Sequence, residues 1–234
     1  MIYYNHLPLK KDILDALGEL KIDYVFQPIF KADGKTIFAR EALMRPLDMN
    51  VMELIEEYNK LGKLHVLEVA TFFGAMQAYH LRGYECKICL NSFPSEHFTI
   101  AETQAFAEYF GDMNGRGIIE ILEYPYISEK ACKAKRIATS QQDLWIAIDD
   151  FGTGLNNMDV VDMYDTKIVK VDRQLISGID HLPEKQENVK KIVDEIHSKG
   201  ILALAEGVEE KEEFDYLVKL HFDLFQGYYL GKPE

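Results

Sequence analysis

The chain of 234 residues has few cysteines, no surplus of positive charge and no long hydrophobic run. Its three cysteines are an odd number without a regular spacing, so they form no disulfide framework and favour a reducing compartment. Lysine and arginine number 26 against 39 aspartates and glutamates, which gives a formal net charge of −13. Polymeric nucleic acid and anionic membranes attract proteins with excess cations, and this charge balance therefore argues against both partners.

The sequence also lacks the marks of a membrane or secreted protein. No stretch approaches the roughly 18 uninterrupted apolar residues of a membrane-spanning helix. The N-terminus has no basic region followed by an apolar run, as a signal peptide would. We therefore expect a cytoplasmic protein. No linker rich in proline, glycine or serine divides the chain, so we expect one main domain, residues 21–234, after an N-terminal helical extension, residues 1–20.

Short apolar runs alternate with segments of helical period along most of the chain. A hairpin is predicted over residues 24–30 and 36–40, and further strands over residues 87–90, 117–122, 144–148, 167–171, 201–205 and 222–225. Helical patterns cover residues 52–58, 64–81, 101–110, 128–141, 184–199 and 209–220. This alternation predicts parallel strands joined by helical crossovers. About eight strands in such a chain favour a closed (β/α)8 barrel, with an open doubly wound sheet as the alternative.

Polar residues stand at the ends of seven predicted strands. They are Glu41, Asn91, Glu120, the pair Asp149 and Asp150, Lys170, Glu206 and Gln226. In a barrel of parallel strands the C-terminal ends share one face, and that face carries the active site of nearly every known enzyme of this fold. A single polar strand end means little, but ordinary strand ends do not repeat carboxylates. We therefore predict a site at this face.

Five carboxylates converging on one face would repel one another unless cations neutralised them. The predicted ligands are carboxylates and one amide oxygen, with no histidine or cysteine, which suits Mg²⁺ or Mn²⁺ better than Zn²⁺. The adjacent Asp149 and Asp150 would suit a pair of ions that activates water for attack on phosphorus. Lys170 would add one cation near the attacking water or a phosphoryl oxygen.

A series of short motifs joins these residues in a characteristic order. The motifs are Gln27-Pro28-Ile29, Glu41-Ala42-Leu43-Met44-Arg45, Leu90-Asn91, Glu120-Ile121-Leu122-Glu123, Asp149-Asp150-Phe151-Gly152-Thr153-Gly154, Lys170-Val171-Asp172, Ala205-Glu206-Gly207-Val208-Glu209 and a closing segment over residues 226–233. Together they resemble the EAL domain, the bacterial phosphodiesterase of cyclic di-GMP. The resemblance extends over roughly residues 20–234.

The resemblance implies a modified TIM barrel with one antiparallel strand, the first, and hydrolysis of cyclic di-GMP to linear pGpG. It implies two Mg²⁺ or Mn²⁺ ions and a homodimer. One ion would be held by Glu41, Asn91, Glu120 and Asp149, and the other by Asp149, Asp150 and Glu206. Lys170 would contact the attacking water, Gln27 and Arg45 the substrate, and Gln226 the water or a phosphate oxygen. A general-base role is an alternative for Glu206, and Glu123 and Glu209 would support the loop after the paired aspartates.

The sequence departs from the EAL pattern mainly in that loop. It reads Leu155-Asn156-Asn157 where many members have Tyr-Ser-Ser, and Tyr164-Asp165 where they have Leu-Pro. In the family this loop and the following helix contribute to dimerisation, so we expect the changes to affect regulation and rate. Strand alternation puts Asp172 on the same face as Lys170, which predicts that Asp172 orients the lysine; a surface salt bridge is the alternative.

Two other spacings could indicate metal or redox sites. Cys86 and Cys89 are three apart, but on a strand such positions face opposite sides, which favours a structural interpretation. His65 and Glu68 are three apart on a helix, but their apolar neighbours favour a packed helix. We therefore expect neither pair to bind a metal.

Two alternatives to an active cyclic di-GMP phosphodiesterase stay open. EAL-like domains can be catalytically silent modules that hold cyclic di-GMP or a protein partner, and a two-metal site alone would serve another phosphodiester. Silent relatives commonly lose a metal ligand or the lysine, whereas all these positions are present here. The sequence therefore favours the active enzyme.

Overall fold

The apolar runs of the sequence form eight strands that close into one barrel. The computed structural model describes Tyr4, Leu7, residues 9–111 and residues 115–234. In chain order the strands are β1 (Ile22–Lys31), β2 (Ile37–Pro46), β3 (Lys87–Ser92), β4 (Gly117–Ile121), β5 (Trp145–Phe151), β6 (Ile168–Val171), β7 (Leu202–Glu206) and β8 (Leu224–Gln226). Each strand pairs with the next, and β8 pairs with β1. The closed barrel is confirmed and the open sheet is excluded.

The first strand runs against the others. β1 pairs antiparallel with both β2 and β8, whereas the remaining neighbours are parallel. The turn after β1 explains its direction: the Asp33 carboxylate accepts from the N–H groups of Lys35 and Thr36, and Gly34 has φ 63°. Strands joined by so short a turn must be antiparallel. The antiparallel strand implied by the resemblance is confirmed.

Ten α-helices are present in the described part of the chain. They are α1 (Lys11–Glu19), α2 (Val51–Lys60), α3 (Leu64–Val69), α4 (Ala75–Leu81), α5 (Ile100–Phe110), α6 (Glu129–Gln141), α7 (Met158–Met163), α8 (Arg173–Ile176), α9 (Pro183–Ser198) and α10 (Lys211–Lys219). A π-helical segment, Ala70–Gly74, makes α3 and α4 one continuous helix, as the pattern over residues 64–81 predicts. The sequence pattern missed α7 and α8, because six and four residues show too little periodicity.

The predicted N-terminal extension includes α1. Of residues 1–20, residues 1–3, 5, 6 and 8 lie outside the described residues. Ile13 and Leu17 of α1 are buried in the core cluster that also contains Phe73 and Tyr24. No helix in the described part of the chain has the length and apolar character needed to cross a membrane.

The barrel interior contains one apolar layer to which every strand contributes a residue. These residues are Ile29, Ala39, Cys89, Ile118, Ala147, Ile168, Leu204 and Leu224. Alternation places the next inward-facing residue of each strand two positions away, towards the C-terminal ends of β2 to β8. The outward faces pack against the helices in a second, larger core. Cys86 and Cys89 are free thiols, and Cys89 is buried in this apolar layer.

Glu68 of α3 lies in a buried ion pair with Lys135 of α6. Lys135 Nζ is 3.2 Å from Glu68 Oε1, and the Ser92 hydroxyl and the Phe93 N–H donate to the same carboxylate at 2.5 and 2.9 Å. His65 instead faces Glu102 of α5, 2.9 Å away. The apolar neighbours on α3 are buried, as a packed helix predicts. The ion pair joins α3, α6 and the end of β3.

We expect Lys135→Met to lower the free energy of unfolding by about 3–5 kcal/mol, because it leaves the Glu68 carboxylate buried without its cation. Urea unfolding followed by circular dichroism measures the change. The matched control is Lys133→Met, which alters an exposed lysine of the same helix and should change stability by less than about 0.5 kcal/mol. Equal stabilities of the two variants would contradict the prediction.

Candidate active site

A polar layer lies directly above the apolar layer of the barrel, with one side chain from each strand. Its members are Gln27, Glu41, Asn91, Glu120, Asp149, Lys170, Glu206 and Gln226. Hydrogen bonds and ion pairs connect all eight. The strand ends predict seven of these residues, and the eighth, Gln27, comes from the resemblance because its strand runs the other way.

Lys170 lies at the centre of this polar layer. Its side chain is 1% exposed, and its ammonium is 2.8 Å from Asp149 Oδ1, 3.2 Å from Glu206 Oε2 and 3.4 Å from Glu41 Oε2, with Glu120 Oε1 also in contact. One cation therefore faces four carboxylates. The structure therefore places the cation predicted from the strand ends among the carboxylates themselves.

Burial and charge act in opposite directions on these groups. Burial alone would lower the pKa of Lys170, but the surrounding carboxylates outweigh it and raise this pKa well above its usual value. Burial raises the pKa of Glu120 well above its ordinary range, and the neighbouring Glu41 adds to the rise despite Lys170. Burial likewise raises the pKa of Glu206. The layer therefore carries more negative charge than one lysine can neutralise.

Amide side chains complete the polar layer. Gln226 Nε2 donates to Glu41 Oε2 at 2.6 Å and lies 3.4 Å from Gln27 Oε1. Gln27 Nε2 in turn donates to the Gly231 carbonyl at 3.1 Å, and Asn91 Nδ2 to Glu41 Oε1 at 3.3 Å. These bonds orient Glu41, which has no freedom to turn away from the cluster.

Asp149 and Asp150 direct their carboxylates to the same region although they are adjacent on β5. The pairing of β5 with β6 shifts register between Ile148 and Phe151, and Asp150 has φ 48°. In a regular strand the two side chains would face opposite sides of the sheet. Burial, together with the charge of Asp149, raises the pKa of Asp150 to about 7.

The donor set fits a hard divalent ion. Carboxylate oxygens of Asp149, Asp150 and Glu206 lie within 4.8 Å of one another, and among the described residues this is the one such group. Three buried oxygens of the polar layer accept no hydrogen bond from the described residues: Asn91 Oδ1, Glu120 Oε2 and Gln226 Oε1. Asp149 Oδ1 and Glu206 Oε2 lie within ion-pair distance of the Lys170 ammonium, but neither oxygen accepts a hydrogen bond from the described residues. Such oxygens are the ligands that Mg²⁺ and Mn²⁺ prefer.

Comparison with known proteins decides the family. The EAL domain family model matches residues 10–233 of the chain. The chain belongs to the EAL domain family. The resemblance inferred from the motifs is thereby confirmed.

Curated and solved relatives agree with this family. The cyclic di-GMP phosphodiesterase RocR of Pseudomonas aeruginosa is 22% identical over 239 residues, which cover 97% of this chain and 61% of RocR. PdeG of Escherichia coli, named as a probable cyclic di-GMP phosphodiesterase, is 34% identical over 88 residues, 38% of this chain and 17% of PdeG. This EAL domain thus spans less than two thirds of either relative.

A solved structure shows the same barrel. The standalone versatile EAL protein from Vibrio cholerae O395, in its c-di-GMP bound form, superposes with a TM-score of 0.82 at 27% identity. The match covers 92% of this chain and 93% of that protein. The modified TIM barrel is therefore the fold of this EAL domain.

The loop that follows the paired aspartates of the EAL domain is held from two sides. Glu123 Oε1 accepts from the Leu155 N–H at 2.5 Å. On the other side, Leu175 of α8 lies so close that a Cβ on Gly152 would approach its Cδ1 to 2.6 Å. Glu209 pairs at 2.8 Å with Arg173, the first residue of α8, the helix that carries Leu175.

Arg45 and Asp172 differ in position from the rest of the predicted site. Arg45 is exposed and donates to the Met44 carbonyl at 3.0 Å, beyond the polar layer on β2. Asp172 accepts from the Gln174 N–H at 2.7 Å and caps α8. It also raises the pKa of Asp150, after burial and Asp149. Asp172 therefore lies beside Asp150 and α8, and among the described residues the ion-pair partners of Lys170 are other carboxylates.

Sequence reasoning missed Asn156 as a residue of the site. It is 4% exposed, and its Nδ2 donates to the Asp149 carbonyl at 2.6 Å. The departure from Tyr-Ser-Ser is visible in the sequence, but the contact of Asn156 with Asp149 depends on the loop folding back onto β5. No local periodicity could have indicated it.

We expect Gly154→Ala to release the Leu155 amide in this EAL domain, because the new Cβ would collide with the Glu123 carboxylate. Hydrogen exchange measured by NMR should show the Leu155 N–H exchanging at least about tenfold faster. Glu123→Gln retains an acceptor oxygen and should keep most of the protection. Unchanged exchange in Gly154→Ala would show that the contact does not hold the loop.

Proposed function

We propose that this EAL domain is a phosphodiesterase that hydrolyses cyclic di-GMP to linear pGpG with two Mg²⁺ or Mn²⁺ ions. The observation that carries the proposal is the unbroken polar layer, in which every strand contributes a side chain to one connected cluster. The name of RocR and the c-di-GMP bound form of the Vibrio cholerae protein support the choice of substrate.

The chain's own ligands divide into two sets. Glu41, Asn91, Glu120 and Asp149 would hold one ion, and Asp149, Asp150 and Glu206 the other. The clustering of the second set within 4.8 Å and the free oxygens of Asn91 and Glu120 support this division. When bound, the ions would lower the pKa of a shared water and stabilise negative charge on the phosphate.

Lys170 touches members of both ligand sets at once, through Glu41 and Glu206. Its raised pKa keeps the amine protonated, so it donates hydrogen bonds and cannot serve as the base. We assign it to the attacking water or to the phosphoryl oxygen on which charge grows. A fixed charge in a buried site stabilises such a transition state strongly, since little solvent screens it.

Glu206 is the carboxylate of the polar layer best placed to take the proton of the attacking water. Its side chain is 26% exposed, whereas those of Glu41 and Glu120 are 7% and 0% exposed. A base must reach the water that it deprotonates. This general-base role is the alternative to simple ligation by Glu206.

Substrate contacts would come from the rim of the polar layer. Arg45 lies four residues beyond Glu41, on the same face of β2, and its exposed guanidinium suits a phosphate or a guanine edge. Gln27 is next to Gln226, whose Oε1 is free to accept from the attacking water. Glu123 and Glu209 would support the loop from its two sides.

The proposal includes a homodimer that forms through the loop after Asp150 and α7. Leu155 and Met163 in this region are 51% and 38% exposed, which leaves apolar surface for a second copy to cover. The free thiols suit the cytoplasm as the compartment.

Incubation of the chain with cyclic di-GMP and Mg²⁺ or Mn²⁺, followed by chromatography, tests the activity. We expect pGpG as the product, and no product from Asp149→Asn, because an amide lacks the charge that both ligand sets share. Binding of cyclic di-GMP without a product would instead identify a silent module. If the chain neither binds cyclic di-GMP nor forms a product, the proposal is refuted.

We expect Lys170→Met to lower kcat by about 100-fold or more, because it removes the buried charge that acts on the transition state. Its affinity for cyclic di-GMP, titrated calorimetrically in Ca²⁺, should change by only a few fold. Lys167→Met, an exposed lysine just before the same strand, is the matched control and should keep normal turnover. Near-normal turnover in Lys170→Met would exclude the catalytic role.

A further inference from the structure

The paired aspartates depend on an irregular backbone. Ile148 pairs with Val169 and Phe151 with Val171, so β5 holds one more residue than β6 over this interval. Asp150 takes up the extra length at φ 48°, a conformation that a residue with a side chain rarely adopts. A left-handed residue that is not glycine persists only where its surroundings hold it. Some contact must therefore maintain the bulge.

Asn156 makes that contact. Its Nδ2 donates to the Asp149 carbonyl at 2.6 Å, at the peptide that joins the two aspartates. The Asn156 carbonyl accepts in return from the Gly152 N–H at 3.3 Å. These two bonds close the segment from Asp149 to Asn156 into a ring, and Asn156 is 4% exposed within it. A buried carbonyl in a bulge needs a donor, and the side-chain amide supplies one.

We propose that Asn156 is a positioning residue for metal binding, which holds the Asp149–Asp150 peptide so that both carboxylates face the same ion. The inference rests on the metal site of the proposed function. The side-chain amide of Asn156 donates to the Asp149 carbonyl and, among the described residues, to no carboxylate, so it acts on the metal site through that carbonyl.

The consequence of losing this amide follows from the geometry. Without it, the Asp149 carbonyl loses the donor that the Asn156 side chain supplies, and the peptide can rotate to an extended conformation. A regular strand would then direct the Asp150 carboxylate to the other side of the sheet. A divalent ion would have to restore the bulge before binding, and this cost appears as weaker affinity. Once the ion is bound, the ligand geometry is restored and turnover recovers.

The test measures Mn²⁺ binding to the full chain without substrate, by calorimetric titration. Asn156→Leu removes the donor while keeping a side chain of similar shape, and Asn156→Ala removes it without adding apolar bulk. We expect each to bind Mn²⁺ about tenfold or more weakly than the wild type. At saturating Mn²⁺, kcat with cyclic di-GMP should stay within about threefold, so that the change appears in the metal concentration required.

The matched control is Asn157→Ala in the same loop. Asn157 Oδ1 accepts from the N–H groups of Asp159 and Val160 at 2.9 and 3.3 Å, and so caps α7 without touching Asp149. We expect this variant to lose some thermal stability but to bind Mn²⁺ as the wild type does. Equal weakening in Asn157→Ala would show that general loosening of the loop is responsible, and would overturn the proposal.

The remaining outcomes also decide the question. Unchanged Mn²⁺ affinity in a folded Asn156 variant, or a kcat loss that persists at saturating Mn²⁺, would refute the positioning role while leaving the proposed function intact. Failure of both Asn156 variants to fold would show that the residue is structural. A wild type that binds no Mn²⁺ would refute the metal site itself.

Discussion

The barrel depends on the neutralisation of carboxylates that the strands bring together in its interior. Four of them surround the ammonium of Lys170, which is 1% exposed. A buried charge is costly unless it is paired, and a buried cluster of like charges costs more. The raised pKa values of Glu120 and Glu206 are the residual sign of this cost. The carboxylates of the polar layer therefore repel one another, and bound divalent ions would reduce this repulsion.

The layer below makes this arrangement possible. Eight buried apolar residues, one from each strand, lie beneath the carboxylates and offer them no hydrogen-bonding side chain from that side. On each strand, the inward-facing residue of the polar layer lies two positions from the inward-facing residue of the apolar layer. Because each strand is paired on both sides, the carboxylates cannot spread apart to reduce their repulsion. Rigid placement of this kind is what a metal site needs.

Irregular structure then supplies what regular strands cannot. Two adjacent residues of a strand face opposite ways, yet Asp149 and Asp150 share one site through a bulge. Glu123, Leu175 and Asn156 each hold part of the loop that follows. Further out, Glu68 and Lys135 tie α3 and α6 to the end of β3, next to Asn91. Polar contacts thus stabilise the end of the barrel that carries the polar layer, and apolar packing stabilises its centre.

The sequence by itself predicted eight strands, favoured a closed barrel over an open sheet, and predicted seven of the eight polar positions, because strand alternation and strand ends are local signals. The pairing of β8 with β1 decided the closure. Gln27 needed the family motif, since its strand runs the other way. The sequence could not give the position of Lys170 among four carboxylates, the contact of Asp172 with α8 instead of the lysine, or the hold of Asn156 on Asp149. Only the tertiary structure decided these, because each depends on the distance between segments that periodicity leaves independent.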